Sequence, residues 1–179
     1  MTPRRKPRKL KSADLQDRAL HYLGRYAAST ARLRQVLTRR IQLSAEAHGF
    51  DPAPLLVELE QVIVRLTRAG LLNDTAFAET KAQSLNRRGG SRRQIAAKLA
   101  VAGVPQAERV RAIERLEEET PDAESAAALA YAKRRRLGVF RAIPDDSPER
   151  RRKDLAALAR AGFAMEIARR ALKGEGRED

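Results

Sequence analysis

Arg65-Leu66-Thr67-Arg68-Ala69-Gly70-Leu71 sets the reading of this chain, because two near copies follow it. They are Lys98-Leu99-Ala100-Val101-Ala102-Gly103-Val104 and Ala157-Leu158-Ala159-Arg160-Ala161-Gly162-Phe163, with a looser relative at Ala47-His48-Gly49-Phe50. Each ends an apolar helical pattern with glycine and follows it at once with a hydrophobic residue. Glycine stops a helix by taking the left-handed conformation, and the next apolar side chain folds back on the last turn. A stop used repeatedly implies a helical unit used repeatedly, and such arrays present extended binding surfaces more often than pockets.

Amphipathic stripes fill the intervals between these stops. A first helix is expected near Ala13–Tyr26, with Leu15, Ala19, Leu23, Tyr26 and Tyr22 on one face. Ser29 is a candidate N-cap for a second helix carrying Leu33, Val36, Leu37 and Ile41 as far as His48. Asp51-Pro52 opens a third, whose Leu55, Leu56, Leu59, Val62, Ile63 and Leu66 form the clearest stripe in the chain. Asn73-Asp74 caps a helix with Phe77, Lys81 and Leu85 that ends at Asn86–Gly90. Ser91 to Gln94 has the capping-box pattern before Ile95 and Leu99. Pro105 starts a helix with Val110, Ile113 and Leu116. Thr120-Pro121 opens an Ala-rich helix to about Leu137, and a link runs from Gly138 to Asp146. Ser147-Pro148 starts a helix with Leu155 and Leu158, and a last helix holds Ile167, Ala168, Ala171 and Leu172. No β-type alternation of useful length interrupts this. The expected fold is all-α: three tandem three-helix repeats, 13–70, 71–119 and 120–174, forming an elongated, curved array. A disordered basic arm at 1–12 and a tail at 175–179 flank it.

Composition agrees with thin helical modules. Of 179 residues, 42% are apolar, only 4% are aromatic, and tryptophan is absent, so one thick core is disfavoured. The net charge of +14 exceeds what solubility needs and points to a polyanionic partner. With no cysteine there is no disulfide framework or thiolate metal site. The N-terminus lacks an apolar signal core and no run is long enough to span a bilayer, so a soluble cytoplasmic protein is expected.

Catalytic chemistry is hard to assemble. The two histidines, His21 and His48, read as ordinary helix residues, the latter near a C-terminus where an imidazolium is favoured. Asp145-Asp146 reads as turn and cap chemistry. There is no P-loop, HExxH or nucleophile elbow, and Gly89-Gly90 follows no strand. The expected catalytic, cofactor and metal sites are therefore none.

The strong signal is charge. Lys81, Arg87, Arg88, Arg92, Arg93 and Lys98 fall in one stretch without an acid, and four of these arginines flank Gly89-Gly90 and the following helix start. Unpaired donors and the dipole at a helix N-terminus add to their pull on phosphate or carboxylate. Arg39-Arg40 joins them as a further candidate; Lys133 to Arg136 and Arg150 to Lys153 are weaker ones. No aromatic residue interleaves these arginines, so base stacking is not supported, and DNA contact should be weak, mainly electrostatic and salt-dependent.

In order and spacing the chain resembles the RecX regulators of the RecA recombinase. The matching phrases are Ala19-Leu-His-Tyr-Leu-Gly24 with Ser29, Arg65-Leu-Thr-Arg-Ala-Gly-Leu-Leu-Asn-Asp74 with Phe77-Ala78, Arg87-Arg-Gly-Gly-Ser-Arg-Arg-Gln-Ile95 with Leu99, and Leu158-Ala-Arg-Ala-Gly-Phe163. The resemblance spans about residues 14 to 172. It departs at Ile41–Ala47, which lengthens the second helix, and at Ala31-Arg32, where the family often has an acid; the N-terminal arm is also unusually basic. The resemblance implies three three-helix repeats and a non-enzymatic protein. Such a protein binds RecA nucleoprotein filaments on DNA and inhibits ATP hydrolysis, strand exchange and the coprotease activity behind the SOS response. A monomer without membrane attachment is expected. The alternative reading is a general basic helical nucleic-acid binder without RecA specificity. An enzyme acting on nucleic acid is the third class and lacks a base, nucleophile or metal cluster.

Overall fold

The computed structural model describes residues 8–175, and these are helical throughout, with no strand among them. The helices are α1 (Ser12–Leu23), α2 (Thr30–His48), α3 (Ala53–Arg68), α4 (Asp74–Arg87), α5 (Arg92–Val101), α6 (Gln106–Glu119), α7 (Ala123–Arg135), α8 (Pro148–Ala161) and α9 (Met165–Lys173). A single 3-10 turn, Gly138–Phe140, lies in the link before α8. The all-α expectation holds. The chain divides into two compact bodies. The first runs to Phe77 and takes in the Ala102–Val104 turn; the second comprises Ala78–Val101 and everything from Pro105 onward.

In the first body α3 supplies the wall its stripe promised. Leu59, Val62, Ile63 and Leu66 are buried against Leu15 and Ala19 of α1 and Leu33, Leu37 and Ile41 of α2. Leu10 belongs to this core: its N–H donates to Ser44 Oγ at 2.9 Å. The expectation of a free arm over 1–12 is therefore corrected for residues 8–12, where one apolar side chain pins the segment to α2 and Ser12 already starts α1; residues 1–7 lie outside the described residues. α1 also stops earlier than expected, at Leu23. This leaves Tyr26 beyond the helix and 55% exposed, not on the packed face.

The second body is built on alanine. Ala127 and Ala128 of α7 meet Ala168 and Ala171 of α9, with Leu158, Phe163 and Leu172 filling the remaining space. Methyl-sized side chains let helix axes approach closely, and Tyr131 and Phe163 seal the edge in a T-shaped pair with ring centroids 5.9 Å apart. On α6 the buried residues are Ala112 and Leu116, whereas Val110, expected on the packed stripe, is 47% exposed.

The four expected stop glycines all have positive φ. Their followers differ. Val104 and Phe163 are buried and Phe50 is half-buried, but Leu71 is exposed and its neighbour Leu72 takes the core position. Leu71 and Leu72 N–H both donate to Leu66 carbonyl, so the turn runs one residue further before the chain re-enters the core.

One joint occurs twice. Ser91 caps α5 by accepting from Gln94 N–H at 3.2 Å, and its hydroxyl donates to the Ala161 carbonyl at 2.6 Å, beside Gly162. Ser29 caps α2 by accepting from Arg32 N–H at 3.1 Å, and its hydroxyl donates to the Ala102 carbonyl, beside Gly103. In both joints the next backbone N–H is taken by a carboxylate: Arg92 N–H donates to Glu124 at 3.0 Å, and Thr30 N–H to Asp74 at 2.7 Å. Both serines are fully buried, so each hydroxyl satisfies an N-cap and an otherwise orphaned helix-end carbonyl together.

Candidate functional site

α4 ends in a Schellman motif. Gly90 N–H donates to Leu85 carbonyl at 2.9 Å and Gly89 N–H to Asn86 carbonyl at 2.7 Å, with Gly89 at φ +78. Gly89 is buried directly against the backbone of α7 at Tyr131. This contact brings the ends of α4 and α7 together and joins two basic runs that are separate in sequence. Arg134 Nη1 donates to the Arg88 carbonyl, and its guanidinium lies 5.7 Å from the Tyr131 ring centroid. Arg87, Arg88, Lys133, Arg134 and Arg135 are all exposed here.

The expected site residues separate into two kinds. Arg92 Nε pairs with Glu117 at 2.7 Å and reaches Glu124 at 4.0 Å. Arg93 Nη2 donates to the Arg160 carbonyl at 2.9 Å, closing the last turn of α8. Both arginines are exposed and already engage partners within the fold. Arg87, Arg88, Lys81 and Lys98 are exposed and form no ion pair among the described residues. The nearby acids are engaged elsewhere: Arg115 holds Glu119 at 2.8 Å and Glu79 at 3.8 Å, and Gln83 donates to Glu119 at 2.9 Å. Lys81 and Lys98 stay available to a partner, and Arg87, Arg88 and Arg134 form the cluster that the contact of α4 with α7 assembles. Arg134 was legible only as part of a weaker run, since nothing local shows that it meets Arg88 across 46 positions.

Glu124 reports on this region. Burial pushes its carboxyl above the usual glutamate range, against the lowering pull of the Arg92 N–H and charge. A raised carboxyl pKa means the native state holds the proton longer than the unfolded chain. The resulting stability is full below the unfolded value and is lost as pH rises through the folded value. Glu124→Gln keeps an acceptor for Arg92 N–H. It is expected to flatten the fall in stability as pH rises above the usual glutamate range, read by urea midpoints across a pH series, and to leave neutral-pH stability unchanged or higher.

Arg39 and Arg40 sit exposed on α2 in the first body. Arg34, a turn before them, grips Glu60 of α3 through two bonds of 2.7 and 3.0 Å. That hydrogen-bonded pairing raises Arg34 and lowers the Glu60 carboxyl. Arg40 lines a groove with Arg18, Tyr22, Arg25 and Tyr26 of the α1 end, so aromatic rings do stand among arginines, in a place the runs of basic sequence did not mark.

Asp145 Oδ1 accepts from Ser147 N–H at 3.1 Å, as cap chemistry requires, and hydrogen bonding by the Ser147 side chain first, and by this N–H second, lowers its carboxyl. Among the described residues no group of three or more His, Asp or Glu is placed to hold a metal ion, and no helix is long and apolar enough to cross a membrane.

No protein-family model matches the chain. A regulatory protein RecX of Myxococcus xanthus is 42% identical over 168 residues, covering 94% of this chain and 89% of that protein. One from Agrobacterium fabrum is 32% identical, covering 83% and 76%, and one from Corynebacterium efficiens is 35% identical, covering 90% and 73%. The crystal structure of RecX from Lactobacillus salivarius superposes with a TM-score of 0.66 at 17% identity, covering 92% of this chain and 96% of that one. A second crystal structure of regulatory protein RecX gives 0.62 at 20% identity, covering 92% and 72%.

Proposed function

The chain belongs to the RecX family of regulatory proteins, and from that premise we propose that it is a non-enzymatic, cytoplasmic regulator that binds RecA filaments on DNA and restrains them. Restraint here means slower ATP hydrolysis, strand exchange and coprotease action, and through them modulation of DNA repair and the SOS response. The observation that carries the reading to particular residues is the meeting of Arg87, Arg88 and Arg134 with no carboxylate partner of their own. Guanidiniums without a carboxylate partner, carried on adjoining helix ends, suit an acidic protein surface or phosphate, which they can bind through paired N–H donors.

The doubled joint supports the repeat reading. Ser29 with Asp74 and Ser91 with Glu124 would be equivalent contacts between successive three-helix units, 13–70, 71–119 and 120–174. A periodic array suits a periodic polymer: equivalent surfaces can engage successive filament subunits, bridging them and blocking their conformational steps.

Arg87→Glu with Arg88→Glu in the full chain should weaken inhibition of RecA ATP hydrolysis by roughly tenfold, with helix content unchanged by circular dichroism. Unchanged inhibition would remove these residues from the binding surface. The same unpaired cations also serve the second reading, a general nucleic-acid binder, under which RecA adds nothing to the affinity for bare DNA.

A further inference from the structure

Beside the first body's core, the end of α1 and Arg40 of α2 enclose a groove of about 500 Å³. Its chemistry differs from that of the Arg87 region. Arg18, His21 and Tyr22 of α1, with Arg25 and Tyr26 just beyond its end, line one side of the groove. Tyr22 packs partly against the core. Tyr26 lies on Tyr22, with ring centroids 5.2 Å apart and planes 43° from one another, and its N–H donates to the Tyr22 carbonyl at 2.9 Å. One side of the Tyr26 ring is thereby braced while 55% of the residue stays exposed. Arg18, Arg25 and Arg40 form no ion pair among the described residues. Of the two carboxylates in the groove, Asp14 is already satisfied by Lys11 N–H at 3.0 Å and by Arg8 at 3.7 Å, and Asp17 is exposed.

We propose that this groove is a binding site for single-stranded nucleic acid, with a base stacked on Tyr26 and the flanking phosphates held by Arg18, Arg25 and Arg40. An exposed aromatic ring offers a platform for any base, and the cations beside it in the groove can track the backbone. Asp17 can accept from an exocyclic amino group of a base. An acidic peptide would use the arginines alone and leave the Tyr26 ring in water. The site is separate from the RecA reading, since its ligand is bare nucleic acid.

The test is fluorescence anisotropy of the full chain with a labelled 20-nucleotide oligo-dT and with an abasic 20-mer, each across a salt series. The chain holds 3 tyrosines and no tryptophan, so quenching of tyrosine emission reads stacking directly. The wild type should prefer oligo-dT to the abasic strand and be quenched by it. Tyr26→Ala should lose roughly 5- to 100-fold for oligo-dT, the range for one stacked base, and bind both strands alike; Tyr26→Phe should restore the preference. Arg18→Ala, Arg25→Ala and Arg40→Ala should weaken both strands and lower the salt slope by about 0.7 per cation removed. Tyr26 is outside the helix and exposed, so its variants are expected to keep wild-type circular dichroism. Equal wild-type affinity for the two strands, oligo-dT binding unchanged in Tyr26→Ala, or tighter binding of a poly-glutamate probe than of oligo-dT would each overturn the proposal.

Discussion

Gly89→Ala is expected to destabilise the protein by about 2–5 kcal/mol, which for a chain of this size lowers Tm by roughly 4–20 °C. Two costs combine. Gly89 has φ +78, where a Cβ costs about 1–2 kcal/mol. That Cβ would also stand 2.6 Å from Tyr131 N, 2.9 Å from Tyr131 Cα and 3.0 Å from Ala127 carbonyl oxygen. These are backbone atoms of a packed helix, which cannot swing aside as a flexible side chain would, and overpacking of this kind costs about 1–3 kcal/mol. Gly70→Ala is the matched control: φ is +73, but nothing lies within 4 Å of the new Cβ, so only the conformational cost of about 1–2 kcal/mol remains. Thermal unfolding of both variants separates the terms. Equal losses would show that α7 does not press on the Gly89 turn, and the union of Arg88 with Arg134 would lose its structural basis.

Asp154→Ala should cost about 3–5 kcal/mol, because it strips the partner from a buried cation. Asp154 on α8 is 4% exposed. Its Oδ2 accepts from Gly138 N–H at 2.9 Å and from Arg141 Nη2 at 2.6 Å, and its Oδ1 accepts from Arg141 Nη2 as well. The Arg141 side chain is only 11% exposed, and its Nε is buried without a partner among the described residues. Removing the carboxylate leaves a guanidinium and a backbone N–H uncompensated at once. Replacing both charges, as in Arg141→Met with Asp154→Leu, removes the uncompensated guanidinium and its orphaned Nε and should recover that part of the loss, while the Gly138 N–H still lacks its acceptor. Urea unfolding of the single and double variants forms the cycle. A single variant within about 1 kcal/mol of wild type would mean that the link from Gly138 to Asp146 is not held by this pair.

The helix stops and serine caps were legible because their causes are local. Glycine's freedom at positive φ and a hydroxyl three residues before a free N–H act within one turn. The same locality explains the failures. Whether Leu71 or Leu72 enters the core depends on how far the turn winds, and whether Val110 is buried depends on which face α6 presents to its neighbours. Tyr26 fits the stripe of α1 by spacing, but the helix ends before it. Leu10 looked like part of a basic arm because its neighbours are charged, yet one leucine and one hydrogen bond to Ser44 suffice to hold it.

The candidate site was legible as composition but not as geometry. Arg87, Arg88, Arg92 and Arg93 are alike in sequence. Only long-range partners tell them apart: Glu117 for Arg92 and the Arg160 carbonyl for Arg93 spend two of the four on the fold. Arg134 enters through the contact of Gly89 with Tyr131, which no periodicity encodes.

RecA ATP hydrolysis on single-stranded DNA, titrated with this protein at near-physiological salt, separates filament regulation from general nucleic-acid binding. Inhibition is expected at amounts well below one per RecA subunit, and well below those that cover bare DNA. Inhibition that appears only when the protein saturates the DNA itself, or no inhibition at all, would contradict filament regulation and leave the cationic helix ends to general nucleic-acid binding.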